Sequence, residues 1–91
     1  MLILVSYDLP DDRRRTRLVN VLEDFGVRVQ YSVFECHLDP TQWTILKLRL
    51  LTLFNAAEDS LRFYYLGANW RGGVEHHGAK PVADPDDAVF A

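Results

Sequence analysis

Cysteine and long apolar segments are scarce in this 91-residue chain. Cys36 is the only cysteine, so no disulfide can form within the chain, which fits the reducing conditions of the cytoplasm. No apolar run approaches the roughly 20 residues that a membrane-spanning helix needs. The apolar start, residues 1–5, is too short for a signal peptide, lacks a basic leader and is closely followed by Asp8. We therefore expect a cytoplasmic protein that makes no contact with a membrane.

An excess of positive charge is missing as well. The net charge is −3 and the pI is about 5.5, whereas a general nucleic-acid-binding protein is strongly basic. The charge is unevenly distributed, because four arginines fall within five residues: Arg13, Arg14, Arg15 and Arg17. The composition thus excludes a uniformly basic surface and directs attention to this local cluster.

Apolar residues, in contrast, make up 48% of the chain. A chain this short forms one domain and buries only about 60–65% of the surface that it exposes when unfolded. The excess of apolar residues predicts an apolar surface that a partner covers. A monomer with an unusually apolar exterior is the alternative.

The first half of the chain predicts a strand, a helix and a bent strand. Residues 2–8 are apolar and β-branched, as in a central strand. Residues 11–25 have apolar side chains spaced three and four apart, which is typical of an amphipathic helix, with Gly26 as its C-terminal cap. In residues 27–38 the apolar alternation changes phase, so we expect a turn or bulge near Tyr31–Ser32.

The second half predicts another helix and one or two strands. Asp39 and Pro40 open a helix that runs to about residue 54, with Gln42 positioned for a capping box. Residues 60–66 alternate as a strand, and residues 74–77 are expected to add a short one. Residues 1–79 would then form one domain and residues 80–91 a C-terminal tail, free to pair with a partner subunit.

This βαββαβ order, with an optional last strand, predicts an α/β (α+β) fold of the ferredoxin-like kind, in which two helices cover one face of an antiparallel sheet. The other face would be bare. Given the apolar composition, we expect a second copy of the chain to cover it, as a two-fold homodimer.

Asp8 is the first candidate for chemistry, because it ends a strand beside a loop, where sites are commonly built. A carboxylate there could hold Mg²⁺, which uses one or two carboxylates together with water and substrate phosphates. Two Asp8 residues brought together in a dimer would supply a pair. Alternatively, Asp8 only caps the following helix or turn.

The arginine cluster is the second candidate, since cations in the first turn of a helix oppose the helix dipole. Helical geometry directs Arg14 and Arg15 towards the sheet end that carries Asp8, while Arg13 and Arg17 lie further round. Guanidinium groups at a helix N-terminus suit phosphate groups, so all four are candidate nucleic-acid-binding residues. A solvated, salt-bridged helix face is the alternative.

Other residues give weaker indications. His76 and His77 are adjacent, so on a strand they would point to opposite faces and make a poor joint metal site. Cys36 is expected in the core. Several aromatic residues could stack on nucleobases, although for most of them a core or interface position is the simpler interpretation: Tyr7, Tyr31, Phe34, Trp43, Tyr64, Tyr65 and Trp70. Among the aromatics, Tyr7 is the candidate for a site because it precedes Asp8.

The segments SYDLPDDRRRTRL, at residues 6–18, and GVRVQYSVFE, at residues 26–35, resemble the small CRISPR-associated endonuclease family. The resemblance is strong over residues 2–38, extends in element order to residue 66, and is loose beyond. It implies a dimeric ferredoxin-like protein that partners the adaptation integrase in spacer acquisition. It also implies Mg²⁺-dependent cleavage of single-stranded RNA or double-stranded DNA, or a non-catalytic role in holding DNA between integrase subunits.

The resemblance assigns roles to individual positions. Asp8 matches the family's metal-binding aspartate, which faces its dimer mate, and Tyr7 matches the aromatic residue before it. Arg15 and Arg17 match two helix arginines linked to activity in the family. Arg28, Ser32 and Phe34 match positions in or near the family's active cleft.

Two functions therefore stay open. In the first, two Asp8 carboxylates hold Mg²⁺ and the arginines position phosphates for cleavage. In the second, the chain is a non-catalytic dimer that binds duplex DNA and the integrase. A regulatory domain that binds a small metabolite is compatible with the fold, but it gives no reason for four arginines at one helix start.

Overall fold

The computed structural model describes residues 1–66 and 73–79. The predicted tail, 80–91, lies outside the described residues. The elements, in chain order, are β1 (Leu2–Asp8), α1 (Asp12–Glu23), β2 (Val27–Gln30), β3 (Val33–His37), α2 (Pro40–Leu53), β4 (Ser60–Leu66) and β5 (Val74–Gly78).

The strands form one antiparallel sheet in the order β2-β3-β1-β4-β5, with β1 at the centre. Both helices pack on the same face, and their buried leucines form a single core with the inward side chains of the central strands. This is the ferredoxin-like arrangement that the element order predicts. The additional strand β5 extends the sheet beside β4, as expected.

The two faces of the sheet follow from the register. Ile3 and Val5 of β1 point towards the helices and are fully buried. Leu2, Leu4 and Asp8 alternate with them and lie on the opposite side, here called the outer face. The two histidines separate as predicted, because His77 is opposite Leu61 on the helix-covered face and His76 is in the alternate phase.

Helix α1 begins and ends at different residues from those predicted. Asp11 is the N-cap, since its carboxylate accepts a hydrogen bond from the Arg14 backbone N–H at 2.9 Å, and this bond lowers the pKa of Asp11. Asp8 therefore does not cap the helix. The C-cap is Asp24, which has right-handed helical dihedrals, so the assignment of Gly26 as the cap is wrong.

Gly26 is required for a different reason, which is close packing. A Cβ atom on Gly26 would lie 2.5 Å from the backbone oxygen of Glu35 and 2.6 Å from the sulfur of Cys36. The chain thus passes so close to β3 that no side chain fits. Burial raises the pKa of the Cys36 thiol to about 11, as expected for a core cysteine.

The predicted break in residues 27–38 is confirmed. A turn at Tyr31–Ser32 separates β2 from β3, and the register shifts between Arg28 and Gln30. After the turn, Phe34 and the other even-numbered apolar residues are buried. The odd-numbered apolar residues of the edge strand β2 and of the turn are exposed instead: Val27 by 68%, Val29 by 47% and Tyr31 by 82%.

Helix α2 begins as its sequence predicts. Asp39 and Gln42 form a reciprocal capping box, with Pro40 at the first helical position. The helix buries Trp43, Leu46 and Leu50, whereas its remaining apolar side chains are partly or largely exposed. Among the described helices, none is both long and apolar enough to cross a membrane.

A polar network on the helix-covered face attaches β5 to α2. Glu75 accepts hydrogen bonds from Lys47 on α2 and from Tyr65 on β4, and its second carboxylate oxygen contacts His77. Burial alone would raise the pKa of Glu75, but these three donors outweigh it and lower the pKa to about 2. Burial, together with the Glu75 carboxylate, raises the pKa of Tyr65 to about 12.

Candidate nucleic-acid site

A cleft of about 340 Å³ opens where the C-terminal end of β1 meets the first turn of α1 and the turn between β2 and β3. We call it the Asp8 cleft. It is lined by residues 6–9, Arg15, Tyr31, Ser32, Ser60 and Arg62. Residues far apart in the chain thus surround the acidic residue that the sequence analysis singled out.

Asp8 and Tyr7 point in opposite directions, because they are neighbours on a strand. Asp8 is exposed at the end of the outer face, directly opposite Ser60 of β4. Tyr7 is buried, and its hydroxyl donates to the backbone oxygen of Tyr31 at 3.3 Å while it accepts from Arg28 at 3.4 Å. Tyr7 therefore holds the β2–β3 turn against the floor of the cleft.

Arg15 supplies positive charge to the cleft from α1. One of its terminal nitrogens donates to the backbone oxygen of Leu9 at 3.0 Å, and the other contacts the Asp12 carboxylate. The guanidinium is thus fixed in orientation, although the side chain remains 35% exposed. A fixed, partly exposed guanidinium can bind a phosphate oxygen without first being ordered.

The four clustered arginines separate into three environments. Arg14 turns inward and makes a two-pronged ion pair with Asp59, with Nε–Oδ2 and Nη2–Oδ1 distances of 2.9 and 3.0 Å. Arg13 and Arg17 lie on the other side of the helix, beside Thr16. The predicted directions are confirmed, but only Arg15 reaches the Asp8 cleft.

The remaining predicted residues occupy different positions around the cleft. Ser32 lines it, and its backbone oxygen accepts a hydrogen bond from the Tyr7 N–H at 3.1 Å. Phe34 is only 1% exposed and lies in the core, where its ring supports the Arg28 guanidinium at 5.4 Å. Phe34 thus positions Arg28 and does not itself line the cleft.

Two residues near the cleft escaped the sequence analysis. Arg62 of β4 lines the cleft, as Arg15 does, and Asp59 is a fully buried carboxylate that binds Arg14. Arg62 lies on the face of β4 away from the buried Leu61, and no local pattern relates it to Asp8. The ion pair of Asp59 has no local signal in the sequence, since Arg14 is 45 residues away.

The donor set of the cleft determines how a metal ion would fit. Within residues 1–66 and 73–79, no three His, Cys, Asp or Glu side chains cluster as a metal site, and Asp8 is the one carboxylate that lines the cleft. Hydroxyl groups of Ser6, Ser32 and Ser60 add neutral oxygens to the lining. One carboxylate can bind Mg²⁺ only if other ligands complete the coordination sphere. Those ligands would be water, substrate phosphates or a second copy of Asp8.

Comparisons with known proteins identify relatives of the chain. Residues 1–74 match the family model described as CRISPR associated protein Cas2. The chain is 55% identical to the CRISPR-associated endoribonuclease Cas2 of Nitratidesulfovibrio vulgaris, over 99% of this chain and 93% of the relative. It is 51% identical to the protein of the same name from Chlorobaculum tepidum, over 99% of both chains.

The fold is also similar to that of a solved structure. The crystal structure of Streptococcus pyogenes Cas2 superposes with a TM-score of 0.69 at 39% identity, covering 77% of this chain and 90% of that one. The fold and the cleft define a small ferredoxin-like protein with an acidic residue and arginines at one end of its sheet. The chain belongs to the Cas2 family of CRISPR-associated proteins.

Proposed function

We propose that the chain is a CRISPR-associated endonuclease that cleaves phosphodiester bonds of RNA or double-stranded DNA in the Asp8 cleft. The observation that carries the proposal is the convergence of one exposed carboxylate, Asp8, with the guanidinium groups of Arg15 and Arg62 in a single cleft. Relatives named as endoribonucleases, and one from Halalkalibacterium halodurans named as an endonuclease, support it.

Mg²⁺ is the proposed cofactor, and two copies of Asp8 are its proposed protein ligands. When bound, such a metal ion lowers the pKa of a coordinated water and stabilises charge on the phosphate. Two copies that pack through their outer faces would bring the exposed ends of both β1 strands together. The outer face supports this pairing, because Leu2 and Leu4 are only half-buried on it and Leu66 is 36% exposed.

The residues of the chain would bind and orient the scissile phosphate. Arg15, fixed by Leu9 and Asp12, would bind one phosphate oxygen, and Arg62 of β4 would bind another. In the cleavage, a water oxygen attacks phosphorus and loses a proton to solvent, the bond from phosphorus to the leaving oxygen breaks, and that oxygen takes up a proton from solvent. Since none of the described residues that line the cleft is a histidine, solvent is the proposed acceptor and donor of these protons.

The test is cleavage of labelled RNA and duplex DNA by the wild type and by Asp8→Asn, each with Mg²⁺ and with EDTA. We expect Asp8→Asn and EDTA each to reduce the rate at least a hundredfold. The matched control is Asp24→Asn, an exposed carboxylate at the C-terminal end of α1 that does not line the cleft and should retain most of the activity. Cleavage that survives both Asp8→Asn and EDTA would refute the proposal.

A non-catalytic scaffold is the second candidate function, and it is favoured because Asp8 is the single carboxylate among the described residues that line the cleft. In that role the dimer would bind duplex DNA and the adaptation integrase, and the arginines would contact phosphates for affinity alone. Affinity for duplex DNA should then fall steeply with salt, because each neutralised phosphate releases counterions. Spacer acquisition in cells that carry Asp8→Asn separates the two: it continues for a scaffold and stops for a required nuclease.

A further inference from the structure

A second depression adjoins the Asp8 cleft and shares one wall with it. This depression, here called the Arg28 groove, has a volume of about 190 Å³ and lies between α1 and β2. Tyr7, Arg15 and Tyr31 line both, so the two form a continuous surface that bends around the β2–β3 turn. Arg28 adds a second guanidinium in the groove, supported from below by the Phe34 ring.

Tyr31 stands at the boundary between the two depressions. It is the most exposed large apolar or aromatic side chain among the described residues, at 82%, although it borders both. Its backbone oxygen is fixed by the Tyr7 hydroxyl, so the turn is held while the ring is left in solvent. A rigid aromatic ring between two guanidinium groups is the arrangement by which proteins bind single-stranded nucleic acids, with phosphates on the cations and a base on the ring.

We propose that Tyr31 stacks against an unpaired nucleobase of the substrate, while Arg15 and Arg28 bind the phosphates on either side of it. This inference rests on the proposed function of the Asp8 cleft and adds to it the residue that binds an unpaired base. A paired base has both faces covered by its neighbours in the duplex and cannot stack on a protruding ring. The subsite therefore selects single strands, or places where a duplex is opened.

The experiment measures binding to a short single-stranded RNA and to a duplex of the same sequence, in EDTA, by fluorescence anisotropy. Tyr31→Ala should weaken single-strand binding by roughly 5- to 150-fold, the range expected for loss of one stacked base, and leave duplex binding unchanged. Tyr31→Phe should bind like the wild type, because it retains the ring. Val29→Ala, an exposed apolar residue of the same edge that borders neither depression, is the matched control.

Salt dependence separates stacking from charge. Because tyrosine is neutral, Tyr31→Ala should lower the affinity equally at every salt concentration and keep the slope of log K against log salt. Arg28→Ala should instead reduce that slope by about 0.7, the value for one phosphate contact on a single strand. A 2-aminopurine base in the RNA, flanked by abasic sites, should be quenched by the wild type and by Tyr31→Phe, but not by Tyr31→Ala.

Several results would overturn the inference. These are failure of the wild type to bind single-stranded RNA, equal affinities for Tyr31→Ala and the wild type, or equal losses on single strand and duplex. If Tyr31→Ala changed the oligomeric state in sedimentation but not the affinity for RNA, Tyr31 would belong to an interface between copies of the chain instead. The two proposals can fail independently, because the binding assay needs no cleavage. An Asp8→Asn protein that still cleaves in EDTA would refute the nuclease proposal, whereas the binding results alone decide whether Tyr31 stacks on a base.

Discussion

The buried ion pair beside the cleft gives a quantitative test of what stabilises this fold. Asp59 is fully buried and accepts hydrogen bonds from two guanidinium nitrogens of Arg14 and from the Asn55 backbone N–H, the last at 2.7 Å. Arg14 also contacts Glu58, at 3.4 Å, but that carboxylate is 51% exposed. The chain thus offers two neighbouring carboxylates that bind one arginine and differ in burial.

We expect Asp59→Ala to reduce the free energy of unfolding by about 2–4 kcal/mol. A hydrogen bond to a charged group contributes about 1.5–3 kcal/mol, but the three bonds do not add fully, since Arg14 can turn to water and to Glu58. A chain of 91 residues has a total stability of roughly 5–14 kcal/mol, so the loss is a large share. Arg14→Ala should cost at least as much, because it leaves a buried carboxylate without its cation.

The assay is urea denaturation followed by the fluorescence of the two tryptophans, with the slope of the free energy against urea compared between variants. Glu58→Ala is the control, and it should cost less than about 1 kcal/mol, as exposed ion pairs do. Asp59→Asn, which retains the shape and one acceptor, should fall between the wild type and Asp59→Ala. Equal effects of Asp59→Ala and Glu58→Ala would refute the reasoning from burial.

Two further variants test packing and charge elsewhere. Gly26→Ala should destabilise the chain by about 1–3 kcal/mol, because its Cβ would lie 2.5 Å from a backbone oxygen of β3, and an unchanged urea midpoint would contradict that contact. Glu75 has a folded pKa of about 2, below its ordinary 4.5, so its contribution to stability is present above about pH 4.5 and is lost as the pH falls towards 2. Glu75→Gln should reduce the loss of stability over this range, measured as urea midpoints against pH, and an identical profile would exclude the network.

Asp59 also relates the ion pair to the candidate site. Its chain neighbour Ser60 lies opposite Asp8, and Arg14 is the chain neighbour of Arg15. The pair therefore joins the two walls of the Asp8 cleft, one on α1 and the other at the start of β4. Arg14, which the sequence analysis predicted to bind nucleic acid, thus stabilises the walls of the cleft without lining it.

Local sequence patterns were sufficient for the elements and their order. The capping box at Asp39, the phase change at Tyr31–Ser32 and the alternation of residues 60–66 each depend on contacts within a few residues, and all three are present in the structure. The residues of the candidate site were harder to predict from local patterns. Asp8 and the directions of the arginines were inferred from position and helical spacing, whereas the roles of Ser32 and Phe34 came from the family resemblance.

The sequence by itself determined the fold class, the strand end that carries Asp8 and the helix face that carries Arg15, because periodicity and capping act over one or two turns of chain. Only the tertiary structure decided that Arg62 lines the same cleft as Asp8 and that Arg14 binds Asp59, across 45 residues. Both depend on the register of β4 beside β1, which is set by the packing of the whole core and leaves no trace in local spacing.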